Sequence, residues 1–464
     1  MNQVKIGVYL PNKKVSYCRA IKVIFKDGSN GVFPYVWLRD CSLDEDTYVI
    51  SNAMKGRLHL MRDFDVKFTQ KKKNLYEQQW LRDHCPGSNN VREKRRKIYL
   101  GRECIYLWED RAEIEYRLKR FSHQSFLEDD KVRRGEINWF GIGWIRSGFG
   151  GFFIILLHGG KSGLPKKQVL HDFLTAVCID GIAVLKGKEY NKKLRNDVLW
   201  SIINRIGMVQ PTHFGETFGV WPKPDASNMA YANTQELPYH TDFPSLQDPP
   251  QLQMLHMCKM AECGGGKSMF VDGFSVAKKV WENLMSIEHP DHFQLLCSIP
   301  LEFIEEGFDV HNVKGFENKE ERVDFSMVAR HKTFKTNDLG RVIQVQFGNV
   351  MRSWFVDTDD PLIIQKVYDA LKLFTTLCYL PENQLIFPLE SGKNGQITSK
   401  RSTLSDTVLW ANTRLLHARS SYKLIGIPER ERYMLGCYFG WDTIKSRIRL
   451  IRRQLKLPEE QEML

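Results

Sequence analysis

Two His-x-Asp triplets are the residues whose type and spacing best suit metal chemistry. They are His240-Thr241-Asp242 and His289-Pro290-Asp291. In an extended backbone, residues i and i+2 point to the same face, so an imidazole and a carboxylate can reach one ion. Pro290 places the second triplet in a loop after a predicted helix. The first triplet is the stronger candidate, although such a triplet alone is more often chance than a ligand pair.

A third ligand would complete the arrangement of iron(II) oxygenases, which use two histidines and one carboxylate and leave three positions open. His417 is the candidate, since it follows the apolar run Val408-Leu409-Trp410; a lone histidine there would otherwise be a core residue at a strand end. Arg432 comes fifteen residues later, before the strand-like run 433–438. A return strand would bring its guanidinium near the metal, where it could hold a dicarboxylate through two parallel hydrogen bonds.

A glycine-rich run superficially resembles a phosphate-binding loop. Gly264-Gly265-Gly266-Lys267-Ser268 has the right ending, but the motif requires a glycine where Ala261 stands. The run also precedes a predicted strand, so no helix N-terminus would face a phosphate. We interpret it as a hairpin turn.

The elements that must position these residues begin near residue 166. Strand-like patterns cover 182–185, 251–258, 268–272, 341–347 and 404–411, and helical patterns cover 169–177, 194–206, 275–286 and 361–377. Dispersed strands with long intervening loops favour an antiparallel jelly roll over alternating βαβ units. A basic amphipathic pattern at 442–457 predicts a helix that packs on the core of its own chain, with a subunit contact as the second possibility.

The first third of the chain is less regular. A hairpin is predicted around Asp27-Gly28. Residues 70–97 are rich in Lys and Arg, and we interpret them as a solvated insert in preference to a nucleic-acid patch. Residues 137–157 approach the length of a membrane span, but the central Arg146 opposes insertion. We therefore expect a small N-terminal domain at 1–125, a linker or apolar insertion at 126–165 and a catalytic domain at 166–464.

Composition limits the class of protein without identifying a partner. The 464 residues carry a net charge of +12 and are 42% hydrophobic, a composition that argues against a mostly disordered chain. The positive balance favours anionic partners but does not choose among them. Ten scattered cysteines fit a reduced protein better than a disulfide scaffold. No secretory signal is evident, so we expect a cytoplasmic location, with a mitochondrial one as the alternative.

Several segments together resemble the gamma-butyrobetaine and trimethyllysine dioxygenase family of Fe(II)/2-oxoglutarate oxygenases. They are 237–244, Pro249-Pro250, Leu255-His256-Met257-Cys258, Val271-Asp272-Gly273-Phe274, Arg414-Leu415-Leu416-His417 and 446–450. The resemblance covers 166–464 well and 15–70 more loosely. It implies a mainly β protein with flanking helices, in which a double-stranded β-helix (jelly roll) catalytic domain accompanies a small β-rich N-terminal domain.

The resemblance also implies site residues. His240, Asp242 and His417 would be the catalytic metal ligands for Fe(II), and Arg432 would bind the distal carboxylate of 2-oxoglutarate. The family holds the substrate ammonium in an aromatic cage, a cation–π device suited to a quaternary amine that cannot donate hydrogen bonds. The matching positions are Phe214, Phe218, Tyr231 and Tyr438, of which the first two stand where the family has a tyrosine and a tryptophan.

Two further family features are only partly present. Asn228 matches a residue beside the substrate carboxylate, but the position of its polar partner is Gly348, next to Asn349. The family's N-terminal domain carries a zinc site of clustered cysteines and a histidine. Cys41 has no such cluster and His84-Cys85 offers two ligands, whereas a closed site needs four. We predict no structural zinc.

The implied function is the Fe(II)- and 2-oxoglutarate-dependent hydroxylation of gamma-butyrobetaine to L-carnitine, in carnitine biosynthesis. Ascorbate as reductant, a homodimer and no nucleic-acid or membrane partner are expected with it. Tyr239 and Phe243 flank the triplet and favour butyrobetaine over trimethyllysine, whose head group would want acidic or polar side chains. Trimethyllysine dioxygenase activity and a non-catalytic binding protein on the same fold are the alternatives, and the intact metal and co-substrate positions argue against the latter.

Overall fold

The structure of the chain is a computed structural model. It describes residues 5–9, 20–41, 48–49, 54–55, 78–98, 105–127, 145–146, 152–153, 166–187, 189–190, 198–222, 234–261, 264–283, 291–312, 320–391, 402–403, 405–423 and 432–457. Two compact units divide the chain at Met1–Gly101 and Arg102–Leu464. Asn228 and Tyr231, predicted to contact substrate, lie outside the described residues, as do His289-Pro290 and most of 126–165.

The first unit contains strands β1 Lys5–Tyr9, β2 Ala20–Ile24, β3 Asn30–Pro34, β4 Tyr48–Val49 and β5 Met54–Lys55, and helices α1 Tyr35–Asp40, α2 Gln78–Asp83 and α3 Asn89–Ile98. The order β1-β2-β3 is antiparallel, and β2 and β3 form the predicted hairpin. Gly28 has φ +81° in its turn, a conformation that glycine adopts without steric cost. Part of the basic segment is helical in α3, where Arg92 and Glu93 are exposed.

The two residues of this unit that could have been zinc ligands, His84 and Cys85, take part in packing. The His84 ring stacks on Trp80 with centroids 4.3 Å apart, and His84 Nδ1 donates to the Trp80 carbonyl oxygen at 2.8 Å. Cys85 is buried in a small core with Val23, Phe25 and Phe33. The absence of zinc stays a prediction.

The second unit holds strands β6 Arg120–Ser122, β7 Ile145–Arg146, β8 Phe152–Phe153, β9 Ile182–Lys186, β10 Glu189–Tyr190, β11 Phe218–Val220, β12 Leu237–His240, β13 Leu252–Lys259, β14 Ser268–Asp272, β15 Pro300–Asn312, β16 Glu320–Lys332, β17 Phe334–Thr336, β18 Val342–Val345, β19 Arg352–Val356, β20 Gln384–Phe387, β21 Ser402–Thr403, β22 Thr407–Trp410, β23 Leu415–Arg419 and β24 Tyr433–Phe439. Its helices are α4 Arg111–Arg117, α5 His123–Leu127, α6 Lys166–Asp180, α7 Val198–Ile206, α8 Gly273–Asn283, α9 His292–Ser298, α10 Pro361–Cys378 and α11 Trp441–Gln454. Each segment predicted from 166 onward contains an element of the predicted type.

Two facing sheets form the jelly roll. One has the order β11-β24-β13-β22-β9-β6 and the other the order β12-β23-β14-β20. Ile182, Val408 and Trp410 of the first sheet share a buried apolar cluster with Phe270 and Leu415 of the second. A second cluster packs α8 and α10 against the smaller sheet. Sheet-on-sheet burial, with helices covering the outer face, is the layered solution expected for such amphipathic strands.

A third, separate sheet is built around a long hairpin. β15 and β16 pair along their whole length, and β19 pairs with β15 on the other side. Leu301 and Phe303 of β15 and Ala329 of β16 are buried on the inner face. This hairpin was not predicted from the sequence, because its inner face mixes apolar with charged residues and so lacks a simple alternation.

The larger unit begins earlier than the sequence-based limit of 125. β6 pairs in parallel with β9, so residues 120–122 extend the six-stranded sheet. Arg117 Nη2 lies 2.6 Å from Asp180 Oδ1, and Trp108 Nε1 donates to the Asp180 carbonyl oxygen at 2.8 Å. Residues 105–127 are therefore structural parts of the larger unit. The functional limits of 1–125, 126–165 and 166–464 stay a prediction.

The glycine run was predicted to be a hairpin turn, and that prediction was wrong. β13, before it, belongs to the six-stranded sheet, and β14, after it, belongs to the four-stranded sheet. The run is therefore a connection between sheets. Gly265 has φ +83°, and a Cβ there would lie 2.6 Å from the Ser421 carbonyl oxygen. Glycine is required because the run passes this close to neighbouring backbone.

Helix α11 packs on its own chain, as predicted. Ile444, Ile448 and Ile451 are buried, and the helix contacts α6 and α7. Arg447 Nε donates to the Ile206 carbonyl oxygen at the end of α7, at 2.8 Å. In the described part of the chain, no helix combines the length and apolarity that a membrane crossing requires. The cysteines in that part whose state is defined are free thiols: Cys41, Cys85, Cys178, Cys258, Cys297, Cys378 and Cys437.

A buried ion pair anchors the connection between β22 and β23. Arg414 Nη2 lies 2.8 Å from Asp272 Oδ2, and both side chains are almost fully buried. Arg414 also donates to the Ile179 carbonyl oxygen, and Asp272 accepts from the backbone N–H groups of Trp108 and Phe274. A buried pair is tolerated when hydrogen bonds satisfy its remaining polar atoms, as they do here. The network ties this turn to α6, β14 and the segment before α4.

Two buried histidines make stability depend on pH. His123 and His256 lie with ring centroids 6.1 Å apart. Burial lowers the pKa of His123 to about 4 and that of His256 to about 3, the neighbouring His123 contributing to the latter. Because both folded-state values lie below the unfolded value, the unfolded chain binds protons more tightly. The stability contribution is complete above the unfolded pKa and is lost as the pH falls toward the folded pKa.

We predict that His123→Phe weakens this pH dependence. Between pH 8 and pH 5, the free energy of unfolding of the wild type should fall by about 2 kcal/mol more than that of the variant, because one proton-binding site has been removed. Denaturant unfolding at both pH values measures this. Phe121→Leu, which loses packing against Phe173 but no titratable group, should keep the wild-type pH dependence. Equal pH dependence in His123→Phe and the wild type would contradict the prediction.

Candidate metal and substrate site

Strand register assembles the metal candidate. β12 and β23 are antiparallel neighbours, and His240 is the direct register partner of His417. Residues directly opposite in such a pair have Cβ atoms roughly 5 Å apart, so the pairing alone brings the two imidazoles together. Asp242 follows two residues after His240, just beyond the end of β12. The three predicted ligands therefore meet at one end of the four-stranded sheet.

The ligand atoms converge closely. His240 Nε2 and His417 Nε2 lie 3.2 Å and 3.3 Å from Asp242 Oδ1. One ligand atom from each of the three residues lies within 4.8 Å of the others, a spacing that one ion can bridge. His240 Nδ1 donates to the Pro238 carbonyl oxygen at 2.8 Å, which leaves Nε2 with its lone pair toward Asp242. The geometry brings together what the sequence placed far apart.

Electrostatics favour the protonation states that a metal needs. Burial lowers the pKa of His417, and the neighbouring His240 adds to this effect. Burial alone would raise the pKa of Asp242, but its two histidine neighbours, His417 first and His240 second, hold that pKa below its usual range. Neutral imidazoles and an ionised carboxylate are the donor set that divalent first-row metals bind. These three residues, all in the described part of the chain, supply that donor set and therefore fit Fe(II).

Asn412 holds Asp242 in position and was not predicted from the sequence. The Asp242 N–H donates to Asn412 Oδ1 at 2.8 Å, and Asn412 Nδ2 donates to the carbonyl oxygens of Asp242 and Pro250 at 3.1 Å and 2.8 Å. Asn412 is fully buried in the turn anchored by Arg414. An asparagine at a turn ordinarily indicates only backbone capping, so its type gave no functional signal.

Arg432 is buried immediately before β24. Its Nη2 donates to the Gly266 carbonyl oxygen at 3.3 Å, and its guanidinium carbon lies 5.6 Å from the centre of the Tyr422 ring. Burial lowers the pKa of Arg432 to about 10, with a further contribution from Arg419, so it remains a cation at neutral pH. Arg419 lies two residues beyond His417 on β23, on the same face of the strand.

Gly266 makes room for this arginine. It has φ +59°, and a Cβ there would lie 2.8 Å from Arg432 Nε. The glycine run that resembled a phosphate-binding loop therefore packs against the residue predicted to hold the co-substrate. A buried cation beside a second arginine suits a dianionic ligand such as a dicarboxylate.

Three predicted cage residues form one aromatic cluster. Phe218 stacks on Tyr438 with centroids 4.9 Å apart, and Phe214 lies 6.1 Å from Phe218. Phe243 completes the cluster, 5.6 Å from Phe214 and 5.5 Å from Tyr438. His213 lies against it as well, 5.2 Å from Phe243. The structure thus adds Phe243 and His213 to the aromatic residues that the family pattern indicated.

The cluster adjoins the metal candidate directly. The Tyr438 hydroxyl donates to Asp242 Oδ2 at 2.7 Å. Phe218 can approach Tyr438 because its register partner is Gly436, where a Cβ would lie 2.4 Å from Phe218 Cζ. A cation bound among these rings would therefore lie close to the metal ligands.

Other predicted substrate positions behave differently. Tyr239 points away from the site, because strand alternation turns it opposite to His240; its hydroxyl donates to Gln384 Oε1 at 3.2 Å in the core. Tyr239 therefore gives no support to the preference for butyrobetaine that was inferred from it. Gly348 forms a bridge with His240 but offers no side chain, and the exposed Asn349 accepts a hydrogen bond from Arg352.

Glu305 is a further charged group near the metal candidate. Ser245 Oγ donates to Glu305 Oε2 at 3.0 Å. Burial raises the pKa of Glu305 to about 7, and the charge of Asp242 adds to this while His240 opposes it. Its position on the long hairpin, far from every motif in sequence, left no signal by which it could have been predicted.

Comparison with known proteins agrees with this geometry. A sequence model described as "Taurine catabolism dioxygenase TauD, TfdA family" matches residues 164–438, more than half of the chain. The chain belongs to this dioxygenase family. The match spans all three metal ligand candidates, Arg432 and the aromatic cluster. Membership, the paired sheets and the donor set confirm the predictions of a jelly-roll dioxygenase that uses Fe(II) and 2-oxoglutarate.

Similar proteins include gamma-butyrobetaine and trimethyllysine dioxygenases, the two enzymes of the family that the sequence resembles. The gamma-butyrobetaine dioxygenase of Pongo abelii is 27% identical over 94% of this chain and 96% of its own length. That of Pseudomonas sp. (strain AK-1) is 25% identical over 88% and 99%. A trimethyllysine dioxygenase of Meyerozyma guilliermondii is 26% identical over 54% and 53%. The likeness to the first two therefore extends over nearly the whole chain.

We predict that Asn412→Ala weakens metal binding without unfolding the protein. Losing the clamp frees the Asp242 backbone, and loss of groups that orient ligands typically costs about 10- to 100-fold in metal affinity. Titration of the metal-free protein with Fe(II) under anaerobic conditions, or with Co(II), gives the affinity. Asn383→Ala is the matched control, since Asn383 is a buried asparagine that bonds to Leu377 in the core. Equal metal affinity in Asn412→Ala and Asn383→Ala would argue against the clamp.

Proposed function

We propose that this protein hydroxylates gamma-butyrobetaine to L-carnitine. In the balanced reaction, gamma-butyrobetaine, 2-oxoglutarate and O2 give L-carnitine, succinate and CO2. When bound, Fe(II) and 2-oxoglutarate supply the activation of O2 for oxidation of a C–H bond. His240, Asp242 and His417 would hold the iron, and Arg432 would hold the distal carboxylate of 2-oxoglutarate.

One observation carries this proposal: the hydrogen bond from Tyr438 to Asp242 joins an aromatic cluster to a two-histidine, one-carboxylate metal site. A quaternary ammonium has no hydrogen to donate, so it is bound by aromatic faces and by charge rather than by hydrogen bonds. The adjacency would hold a short betaine with its ammonium among the rings and its chain toward the iron.

The chain's own residues would orient the substrate and exclude water. Phe214, Phe243 and Tyr438 are buried, whereas Phe218 is partly exposed. Because Phe218 stacks on Tyr438, cation binding requires Phe218 to rotate away, which is the kind of side-chain change that interfaces commonly undergo. Apolar rings around the reacting carbon would then keep bulk water from the iron. Asn228 and Tyr231 would contribute to the same pocket by their family positions.

The names of the relatives support the same substrate. Both gamma-butyrobetaine dioxygenases align over most of their own length, whereas the trimethyllysine dioxygenase aligns over about half. We propose in addition a homodimer, a cytoplasmic location with a mitochondrial one as the alternative, and ascorbate as reductant. Nucleic acid and membrane are not expected partners.

We predict that the full-length protein forms carnitine. Incubation with Fe(II), 2-oxoglutarate, ascorbate and O2 should release succinate in proportion to L-carnitine when gamma-butyrobetaine is present. A panel that includes trimethyllysine and glycine betaine should give lower kcat/KM values, measured as succinate release with mass-spectrometric detection of product. Turnover of trimethyllysine alone would make the substrate assignment wrong while leaving the reaction class intact.

We predict that His240→Ala abolishes both bound iron and succinate release, since one of three protein ligands is lost. Metal analysis of the purified variant and the succinate assay measure the two effects. His171→Gln is the control, because His171 is a buried histidine on α6 that contacts Asp172. A non-catalytic binding protein would lose nothing in either variant, so retained betaine binding with no succinate from the wild type would favour that alternative.

A further inference from the structure

Glu305 occupies a position where strand geometry expects an apolar residue. On β15, Leu301, Phe303 and Glu305 alternate on one face, and the first two are buried. Glu302, on the opposite face, is half-buried as well, but it accepts hydrogen bonds from Arg330, a cation, and from Ser353. Glu305 is half-buried, and an ionisable group turned inward costs free energy in proportion to the hydration it loses unless something compensates. An inward carboxylate at this point therefore calls for a partner.

The described residues give Glu305 a hydrogen-bond donor but no cation. Ser245 Oγ is 3.0 Å away, and the register partner on β16 is Met327. In the part of the chain that the structure describes, no Lys, Arg or His forms an ion pair with Glu305. Burial and the like charge of Asp242 raise the pKa of Glu305 to about 7, and one hydroxyl does not offset them, so a cation bound beside the carboxylate would be needed to keep it ionised. The carboxylate is thus arranged to receive a cation from outside the chain.

The hairpin that carries Glu305 also contacts the aromatic cluster. Phe325 of β16 lies 4.1 Å from His213, which adjoins Phe214 and Phe243. His331 Nε2 donates to the Leu246 carbonyl oxygen at 2.8 Å. Residues 243–246 therefore connect the aromatic rings to Glu305 over a few residues. The carboxylate, the rings and the metal ligands converge on one short segment, 240–246.

The composition of the aromatic cluster explains why a carboxylate beside it would strengthen the binding of a cation. Trp is the best aromatic partner of a cation, and three of the cluster's rings, Phe214, Phe218 and Phe243, are plain phenyl rings that attract a cation less strongly. A carboxylate beside the rings adds an attraction that falls only as the inverse of distance and is strong where water is excluded. It would also repel the carboxylate end of a betaine and so set the direction in which the substrate enters.

We propose that Glu305, held by Ser245, is the anionic partner of the substrate's quaternary ammonium and selects cationic over neutral substrates. This inference rests on the proposed function, whose substrate class it deepens. Glu305 is a specificity-determining residue here; it carries no part of the oxidation. The chemistry it recognises is a trimethylammonium group, whichever betaine supplies it.

Matched charged and neutral ligands test the proposal. We compare kcat/KM for gamma-butyrobetaine with that for its carbon isostere, in which a tert-butyl group replaces the trimethylammonium group. Glu305→Gln keeps the shape and the acceptor for Ser245 but removes the charge. We expect it to lower kcat/KM for the betaine about tenfold, chiefly through KM, and to leave the isostere within about twofold. Equal losses on both ligands would mean a merely structural role and overturn the proposal.

Two variants guard the interpretation. Glu302→Gln removes a carboxylate from the outer face of the same strand and should leave the preference for the cation unchanged. Glu305→Asp keeps the charge and should retain most of that preference. If Glu305→Gln does not fold, Ser245→Ala takes its place in the test. This variant should lose the preference for the cation while it retains metal binding. An unchanged preference in Ser245→Ala would overturn the proposal.

A binding measurement separates this proposal from the proposed function. Choline and its tert-butyl analogue are titrated into the Co(II)-substituted full chain, which requires no turnover. We expect Glu305→Gln to weaken choline binding about tenfold and to leave the neutral analogue unchanged. If gamma-butyrobetaine is not hydroxylated but choline binding follows Glu305, the proposed function fails and this inference stands. If the wild type binds choline no better than its analogue, this inference fails whatever the activity.

Discussion

The antiparallel pairing of β12 with β23 is the constraint on which the site depends. It places His240 opposite His417, so a slip of one residue in this register would turn one imidazole to the other face of the sheet. Register in turn depends on the burial of the opposite face, where Tyr239 and Leu416 pack into the core. The three candidate metal ligands are therefore positioned by apolar residues on the opposite face of the sheet.

The turn between β22 and β23 fixes the third ligand. Asn412 holds the backbone of Asp242 with reciprocal hydrogen bonds, and Arg414, two residues later, is tied to Asp272 by a buried ion pair. A ligand beyond the end of a strand has no hydrogen bonds of the sheet to hold its backbone, so other contacts must fix its position. The chain supplies that rigidity from a buried polar network that is fully bonded, the condition under which such networks specify one arrangement.

The substrate side of the site follows a different logic. Its aromatic rings come from strands β11 and β24 and from the segment after β12, whereas Glu305 comes from the long hairpin β15–β16. Rings attract a cation weakly and without direction, and a carboxylate attracts it more strongly over a longer range. A site that combines them can discriminate charge even where its rings are phenyl groups. In the role proposed for Glu305, the hairpin would contribute to substrate binding as well as to cover.

The sequence by itself determined the metal chemistry, the jelly-roll class and most strands and helices after residue 166. The elements could be predicted because apolar runs and a basic amphipathic helix depend on residue type and short spacing. The His-x-Asp triplet indicated a metal site only together with the family resemblance of several segments. Only the tertiary structure decided what depends on contacts between distant segments. It turned Tyr239 away from the site, made the glycine run a connection between sheets, and brought Asn412 to Asp242. It also placed Glu305 near the metal ligands, since long-range pairing leaves no local pattern in the chain.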